Sequence, residues 1–417
     1  MAEKLMSNTF EFVGTISPCK ETDKFKPYET TRFSNSDWGN KHIKFNAVCG
    51  NNRHLVEVST LVNVADPDSM TVYTYGKSGV DNDGNKLKGE KLTIPFKDRF
   101  KEDIVSQVAE YRKFVVDTEL PSRRFQLEKA IDKFKDGSIT DEQMNNLDVH
   151  SLEECEKAYA ESEKKHHEFI SAYDFIDFLN KFVNNEKIKN MKFKITGTYE
   201  LTYNEKSDIW YRSLSVQRIY RQNNEAEITS VATFGFVFDE NAVDDNDFDE
   251  AKKIHINGYI GQYLNNYKKF CFSPMTLTID GNGSDGNYKK ALGFKKKFAF
   301  PAEDDDHKYR EIGLVCNMLN GSQEVELTED MLSDEQRENL EYGLVTMEDI
   351  KKELGKPVFG DRVQDIVIDK LARGYSGGSK PTVYTEKDFA KPHIESETTD
   401  IADDDEEDIF NEDDLDI

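Results

Sequence analysis

Two segments that alternate with period two, joined by a short polar turn, limit this chain more tightly than anything else in it. Lys192–Tyr203 reads Lys-Phe-Lys-Ile-Thr-Gly-Thr-Tyr-Glu-Leu-Thr-Tyr. Asn204-Glu-Lys-Ser-Asp turns the chain, and Ile209–Arg221 returns it. A period of two puts alternate side chains on opposite faces of a strand and fits no helix. On the returning strand Tyr211, Ser213, Ser215, Gln217, Ile219 and Arg221 share one face. Trp210, Arg212, Leu214, Val216, Arg218 and Tyr220 share the other. Neither face is purely apolar, and each carries arginine and rings near its ends, as a strand bordering a groove does.

A second stretch has the chemistry to complete such a groove. Residues 254–300 hold seven lysines (Lys268, Lys269, Lys289, Lys290, Lys295, Lys296, Lys297) against Asp280 and Asp285, a local balance of +5 in a chain of net charge −26. Tyr259 and Tyr263 lie in the same stretch. Lysines attract a phosphate backbone, and rings offer flat faces to unstacked bases. The expected nucleic-acid groove therefore joins Trp210, Tyr211, Arg212, Arg218, Tyr220 and Arg221 to Tyr259, Tyr263 and these lysines. The competing reading is that the rings are core and the lysines a solvated face.

Around this centre the chain divides by pattern. Phe10–Ser17, Ile43–Val48, Leu55–Val64, Thr71–Tyr75 and Leu92–Pro95 read as short strands, so residues 1–100 are expected to form a β-rich, OB-like small barrel. Residues 101–190 read as a helical insertion or bridge, with helices over Asp103–Val116, Ser122–Lys135 and Ser151–Lys181. Residues 191–300 form the second OB-like β domain. Residues 301–378 form an α/β region in which Ser333 and Gln336 make a capping box, Thr346 and Asp349 cap another helix, and Asp361–Arg373 reads as a third helix. Residues 379–417 are expected to be a disordered acidic tail. The fold class is α+β.

Composition narrows the function. No apolar run is long enough to span a membrane, and the N-terminus lacks the apolar stretch of a signal peptide, so the expected location is cytoplasmic. Five scattered cysteines without a Cys-x-x-Cys pair argue for reduced thiols. Cys19, His42, Cys49 and His54 match no zinc spacing. The acidic run 239–250, which could hold Mg²⁺ in a nuclease, is consecutive and has no basic or nucleophilic partner. The Asp81 and Asp280 loops lack calcium-loop order, so no metal and no cofactor is expected. Walker, His-Glu-x-x-His and Gly-x-Ser-x-Gly motifs are absent, and the chain is read as a non-enzyme. The acidity opposes nucleic acid at long range. Asp403–Ile417 carries ten acids and no base, so −10 of the −26 lies there and −16 on the remainder; binding must depend on a locally basic groove.

The long hairpin, the Asn257-Gly-Tyr-Ile-Gly-Gln-Tyr strand and Ser273-Pro-Met-Thr-Leu-Thr-Ile together resemble OB-fold single-stranded-DNA-binding proteins, over roughly a quarter of the chain. Glu407-Asp-Ile-Phe410 is similar to the acidic tip that ends bacterial and phage members of that family, acids followed by Ile-Pro-Phe. It lacks the proline and continues past Phe410 to Ile417. The resemblance implies a phage or mobile-element protein in a bacterial host cytoplasm. It would bind single-stranded DNA without catalysis and protect or present strands in replication, recombination or repair. It also implies a tail that competes for the groove and recruits replication or recombination proteins through Asp408, Ile409, Phe410, Leu415 and Ile417. A homo-oligomer formed through the small C-terminal helices stays open. The alternatives are a virion structural or assembly protein and an acidic DNA-mimic inhibitor.

Overall fold

The computed structural model describes residues 6–80, 86–87, 89–300, 307–324, 327–354 and 359–393. The predicted long hairpin is present as strands Phe193–Asn204 and Ile209–Arg221, paired antiparallel along their length. Burial explains its alternation: Phe193, Ile195, Tyr199 and Leu201 point into a core, as do Leu214 and Val216 on the return. A bulge at Gln217 then shifts the register, so that Ile219, expected on the opposite face, joins them.

Strand pairings close into two rings of five. In the first, Thr9–Pro18 pairs with Trp38–Cys49, which pairs with Asn52–Asn63. That third strand meets Ile209–Arg221 in parallel, and Phe193–Asn204 returns the circuit to Thr9–Pro18. Numbered along the chain, the order is 1-2-3-5-4-1. A helix, Ala172–Val183, lies between the third and fourth strands and plugs the core with Phe175, Ile176, Leu179, Phe182 and Val183. The second ring repeats the plan. Thr229–Phe238 pairs with Lys253–Leu264, then Lys269–Asp280, then Phe359–Leu371 in parallel, then Arg310–Glu324, and so back to Thr229–Phe238. Its helix, Asp285–Lys297, again falls between strands three and four and contributes Ala291 and Phe294 to the core.

The two rings share one strand edge. Thr9–Val13 pairs with Phe193–Thr198 on one side and with Thr229–Thr233 of the second ring on the other. At Gly14 the strand leaves the fourth strand for the second. A Cβ there would lie 2.2 Å from the Val48 carbonyl oxygen, so only glycine allows the crossing. Between the rings, His54 is buried, stacked on Phe12 at 4.5 Å, and bonded through Nε2 to Ser230 Oγ at 2.6 Å. Ser230 Oγ in turn donates to the Met318 carbonyl at 2.8 Å. Burial lowers the His54 pKa to about 4, so the ring is neutral in this interface.

Several expectations need correction. The first ring draws its last two strands from beyond residue 190, so 1–100 does not close by itself; three strands cannot enclose a core. The insertion at 101–190 carries strands as well as helices. Asp103–Val116 holds the short helix Glu102–Val105 and a single 3-10 turn, Glu110–Arg112, before the strand Phe114–Asp117. Ser151–Lys181 is broken into Leu152–Glu163, the strand His166–Phe169, and Ala172–Val183. The break is held by charge: His166 sits between Asp117 at 3.1 Å and Glu168 at 3.0 Å. Those hydrogen bonds raise the His166 pKa to about 9. Asp361–Arg373 lies in the strand Phe359–Leu371 rather than a helix, because its β-branched run pairs well on a sheet. Both cap readings hold: Gln336 N donates to Ser333 Oγ at 3.2 Å and Asp349 N donates to Thr346 Oγ1 at 3.2 Å.

Candidate nucleic-acid interface

The tip of the first ring's long hairpin is built rigidly. Asn204 Oδ1 accepts from the amides of Lys206 at 3.0 Å and Ser207 at 3.2 Å, and Asp208 turns through a left-handed backbone. Tyr203 Oη donates to Asp208 Oδ1 at 2.5 Å, which pushes the phenol pKa up to about 12. Trp210 packs on Tyr203 at 5.1 Å, and Tyr211 stands 51% exposed beside them. Arg212 reaches across to the second ring and donates to Ser273 Oγ at 3.3 Å and to the Pro274 carbonyl. The turn between that ring's second and third strands arrives at the same corner: Tyr267 Oη donates to the Tyr203 carbonyl at 3.4 Å. Lys268 and Lys269, both exposed, follow it directly. Trp210 and Arg212, on one face of the strand, thus meet the turn that carries Lys268 and Lys269, while Tyr211 stands exposed on the strand's other face.

The remaining expected residues lie elsewhere. Arg218, Tyr220 and Arg221 are about 20–30 Å beyond Arg212 along their strand. Arg218 donates to the Glu110 carbonyl at 2.9 Å and Arg221 to that of Thr118 at 3.4 Å, so both fasten the insertion. Tyr220 is half-buried there, and burial raises its pKa. Lys289, Lys290, Lys295, Lys296 and Lys297 belong to the helix Asp285–Lys297, which follows the far end of the strand that begins at Lys269, about 36 Å away. That stretch is helical because Ser284 caps it, accepting from Asn287 N at 3.3 Å, and because its terminal lysines suit the negative end of the helix dipole. Lys290 is paired with Asp369 at 2.8 Å, Lys295 with Asp245, and Lys297 lies against Gly378; Lys289 and Lys296 are exposed. The lysines therefore form two groups at opposite ends of the second ring, not one groove.

Tyr259 and Tyr263 lie on the second strand of the second ring. Tyr263 stands opposite Phe270 across the pair, and Tyr259 is covered. The cover is the chain's own segment 380–393, which was expected to be disordered. Lys380–Pro381 pairs with the fourth strand, and Phe389 then sits on Tyr309, Tyr259 and Phe272 at 4.2, 4.5 and 4.6 Å. Tyr384 adds an edge contact to Phe272 at 4.7 Å. Lys308–Glu386 at 2.7 Å, Lys391–Asp208 at 2.5 Å and a His393–Glu205 pair tie the strap down across both rings. Two rings set in a polar run gave little sign of this in the sequence. The tail residues Asp408, Ile409, Phe410, Leu415 and Ile417 lie outside the described residues.

Cys19, His42, Cys49 and His54 do not converge: Asn46 donates to Cys19 Sγ at 3.2 Å, His42 bonds the Lys26 carbonyl at 3.0 Å, and His54 faces Ser230. Among the described residues no group of three or more His, Cys, Asp or Glu is placed to hold a metal, and no helix is long and apolar enough to cross a membrane.

No family model and no curated protein matches the chain. Among solved structures, a deletion mutant of the single-stranded DNA binding protein from Thermus aquaticus is similar at 6% identity, covering 76% of this chain and 88% of that one. The TM-score is 0.27, too loose a superposition to show a fold.

Proposed function

We propose that this protein binds single-stranded DNA stoichiometrically and without catalysis, on two OB-type barrels in tandem. One observation carries the reading. Both five-strand rings run 1-2-3-5-4-1, with a helix between strands three and four, which is the OB arrangement. OB barrels take oligonucleotides on the face of strands two and three and on the loops between strands one and two and between four and five. Here the 4–5 turn of the first ring carries Trp210, Tyr211 and Arg212 beside Lys268 and Lys269 of the second. Rings at that corner stack bases, and the three cations meet phosphates. Lys289 and Lys296 extend contact along a strand that wraps the second barrel.

The protein would protect or present strands during replication, recombination or repair. Its acidic end, including Asp408, Ile409, Phe410, Leu415 and Ile417, competes for the same cations at high effective concentration and engages partner proteins when DNA displaces it. The test is a fluorescence titration with single- and double-stranded oligonucleotides across a salt series, on the full chain and on one ending at residue 402. Expected are preference for single strands, affinity falling steeply with salt, and tighter binding without the acidic end. Salt-insensitive or absent binding by both forms overturns the proposal.

A further inference from the structure

The insertion between strands three and four of the first ring leans over that ring's outer face and leaves a cleft of about 430 Å³, within the range of small-ligand sites. The barrel side presents Leu61, Ser215, Gln217 and Glu200; the insertion side presents Tyr73, Tyr111 and Arg112. The two sides are joined by Gln217, whose amide donates to the Tyr111 carbonyl.

Two features distinguish this cleft from a packing fault. Its insertion wall is a flat aromatic and cationic surface: Tyr73 is 79% exposed, and the Arg112 guanidinium stands over Tyr75 at 4.7 Å and Tyr111 at 5.4 Å. Its floor carries a carboxylate, Glu200, with which no Lys or Arg among the described residues forms an ion pair. Glu200 accepts from Thr198 Oγ1 at 3.0 Å and from the Ser215 hydroxyl, while the nearby Glu57 is taken by Lys44 at 3.0 Å. Burial raises the Glu200 pKa. A carboxylate so placed gains from any ligand that brings N–H donors. A planar wall and an acceptor pair together select a flat heterocycle with donors on its edge.

We propose that this cleft receives one unstacked base of a bound single strand, guanine in preference to the other three, an inference that rests on the single-strand binding proposed above. Guanine presents adjacent N1–H and N2–H donors to the two oxygens of Glu200, whereas the other bases interleave donors with acceptors on that edge. Tyr73 supplies the stacking face, and the Ser215 hydroxyl, already turned to Glu200, helps hold the carboxylate in place.

The experiment uses the full chain and oligonucleotides of about 20 nucleotides, enough to span two barrels. Thymine-only strands are compared with strands carrying one central guanine, adenine or cytosine, by competition anisotropy. A guanine should tighten binding about tenfold. Glu200→Gln should abolish that gain and leave thymine-only affinity unchanged, which also shows that the variant is folded. Tyr73→Ala, a change at an exposed ring, should remove most of the gain as a second route to the same answer. Thymine-only strands that bind well with no guanine advantage in the wild type, or an advantage that survives both substitutions, overturn the cleft while leaving the proposed function standing. Absence of binding by every strand overturns both.

Discussion

Tyr211 and Arg212 are neighbours with different work. Tyr211 points to solvent, so Tyr211→Ala should weaken single-strand binding by about 1–3 kcal/mol in a titration while leaving the melting temperature unchanged. Arg212 also bonds the second ring at Ser273 and Pro274, so Arg212→Ala should lower both affinity and melting temperature. Two histidines set the pH range of stability from opposite sides. The folded pKa of His54, about 4, lies below its ordinary 6.5. The unfolded chain therefore binds the proton more readily, and the His54 contribution is full above pH 6.5 and lost as pH falls towards 4. The loss amounts to about 3 kcal/mol. His166, clasped by Asp117 and Glu168, is raised to about 9; its contribution is full below pH 6.5 and lost as pH rises through 9. Urea unfolding across pH should show both limbs. His54→Gln should flatten the acid one and His166→Gln the alkaline one.

Among the elements, the first strand and the C-terminal strap bear the most. Gly14→Ala pushes a methyl into the Val48 carbonyl and should cost about 1–3 kcal/mol or more, read by denaturant unfolding. Ending the chain after Gly378 removes Tyr384 and Phe389 from Tyr259, Phe272 and Tyr309. The uncovered rings should bind a hydrophobic dye that the intact protein does not bind. These elements were unequally legible. The hairpin around Trp210 was readable because its period of two persists through the outgoing strand and through the return as far as Val216; the bulge at Gln217, which brings Ile219 to the core side, was not. Val363, Ile366, Val367 and Leu371 fit a helical stripe as well as a strand, and only their partners in Arg310–Glu324 decide between them. The lysine clusters were visible as residues but not as places, since a strand and a helix put them at opposite ends. Ring closure was hidden, because strands three and four of the first ring stand on either side of the insertion. The cleft residues Tyr73 and Glu200 meet only through that closure and carried no local mark.

At the scale of the molecule, two rings are fused along Thr9–Val13 and sealed by His54, Ser230 and Met318. If the corner proposed to bind single strands is one site, Tyr211→Ala and Lys268→Ala should act on the same bound strand. A double substitution should show coupling rather than simple addition, measured as a mutant cycle of oligonucleotide affinities. The shared strand also governs how the protein is made. Thr9–Val13 leaves the ribosome well before its partners at 193–198 and 229–233, which follow it in the sequence. Until then its two edges lie open and nothing can enclose Phe10 and Phe12. All five strands of the first ring lie within residues 9–221, so that ring can close before Thr229–Phe238 is made, while the edge of Thr9–Val13 that faces the second ring waits, open to other strands, for residues 229–233.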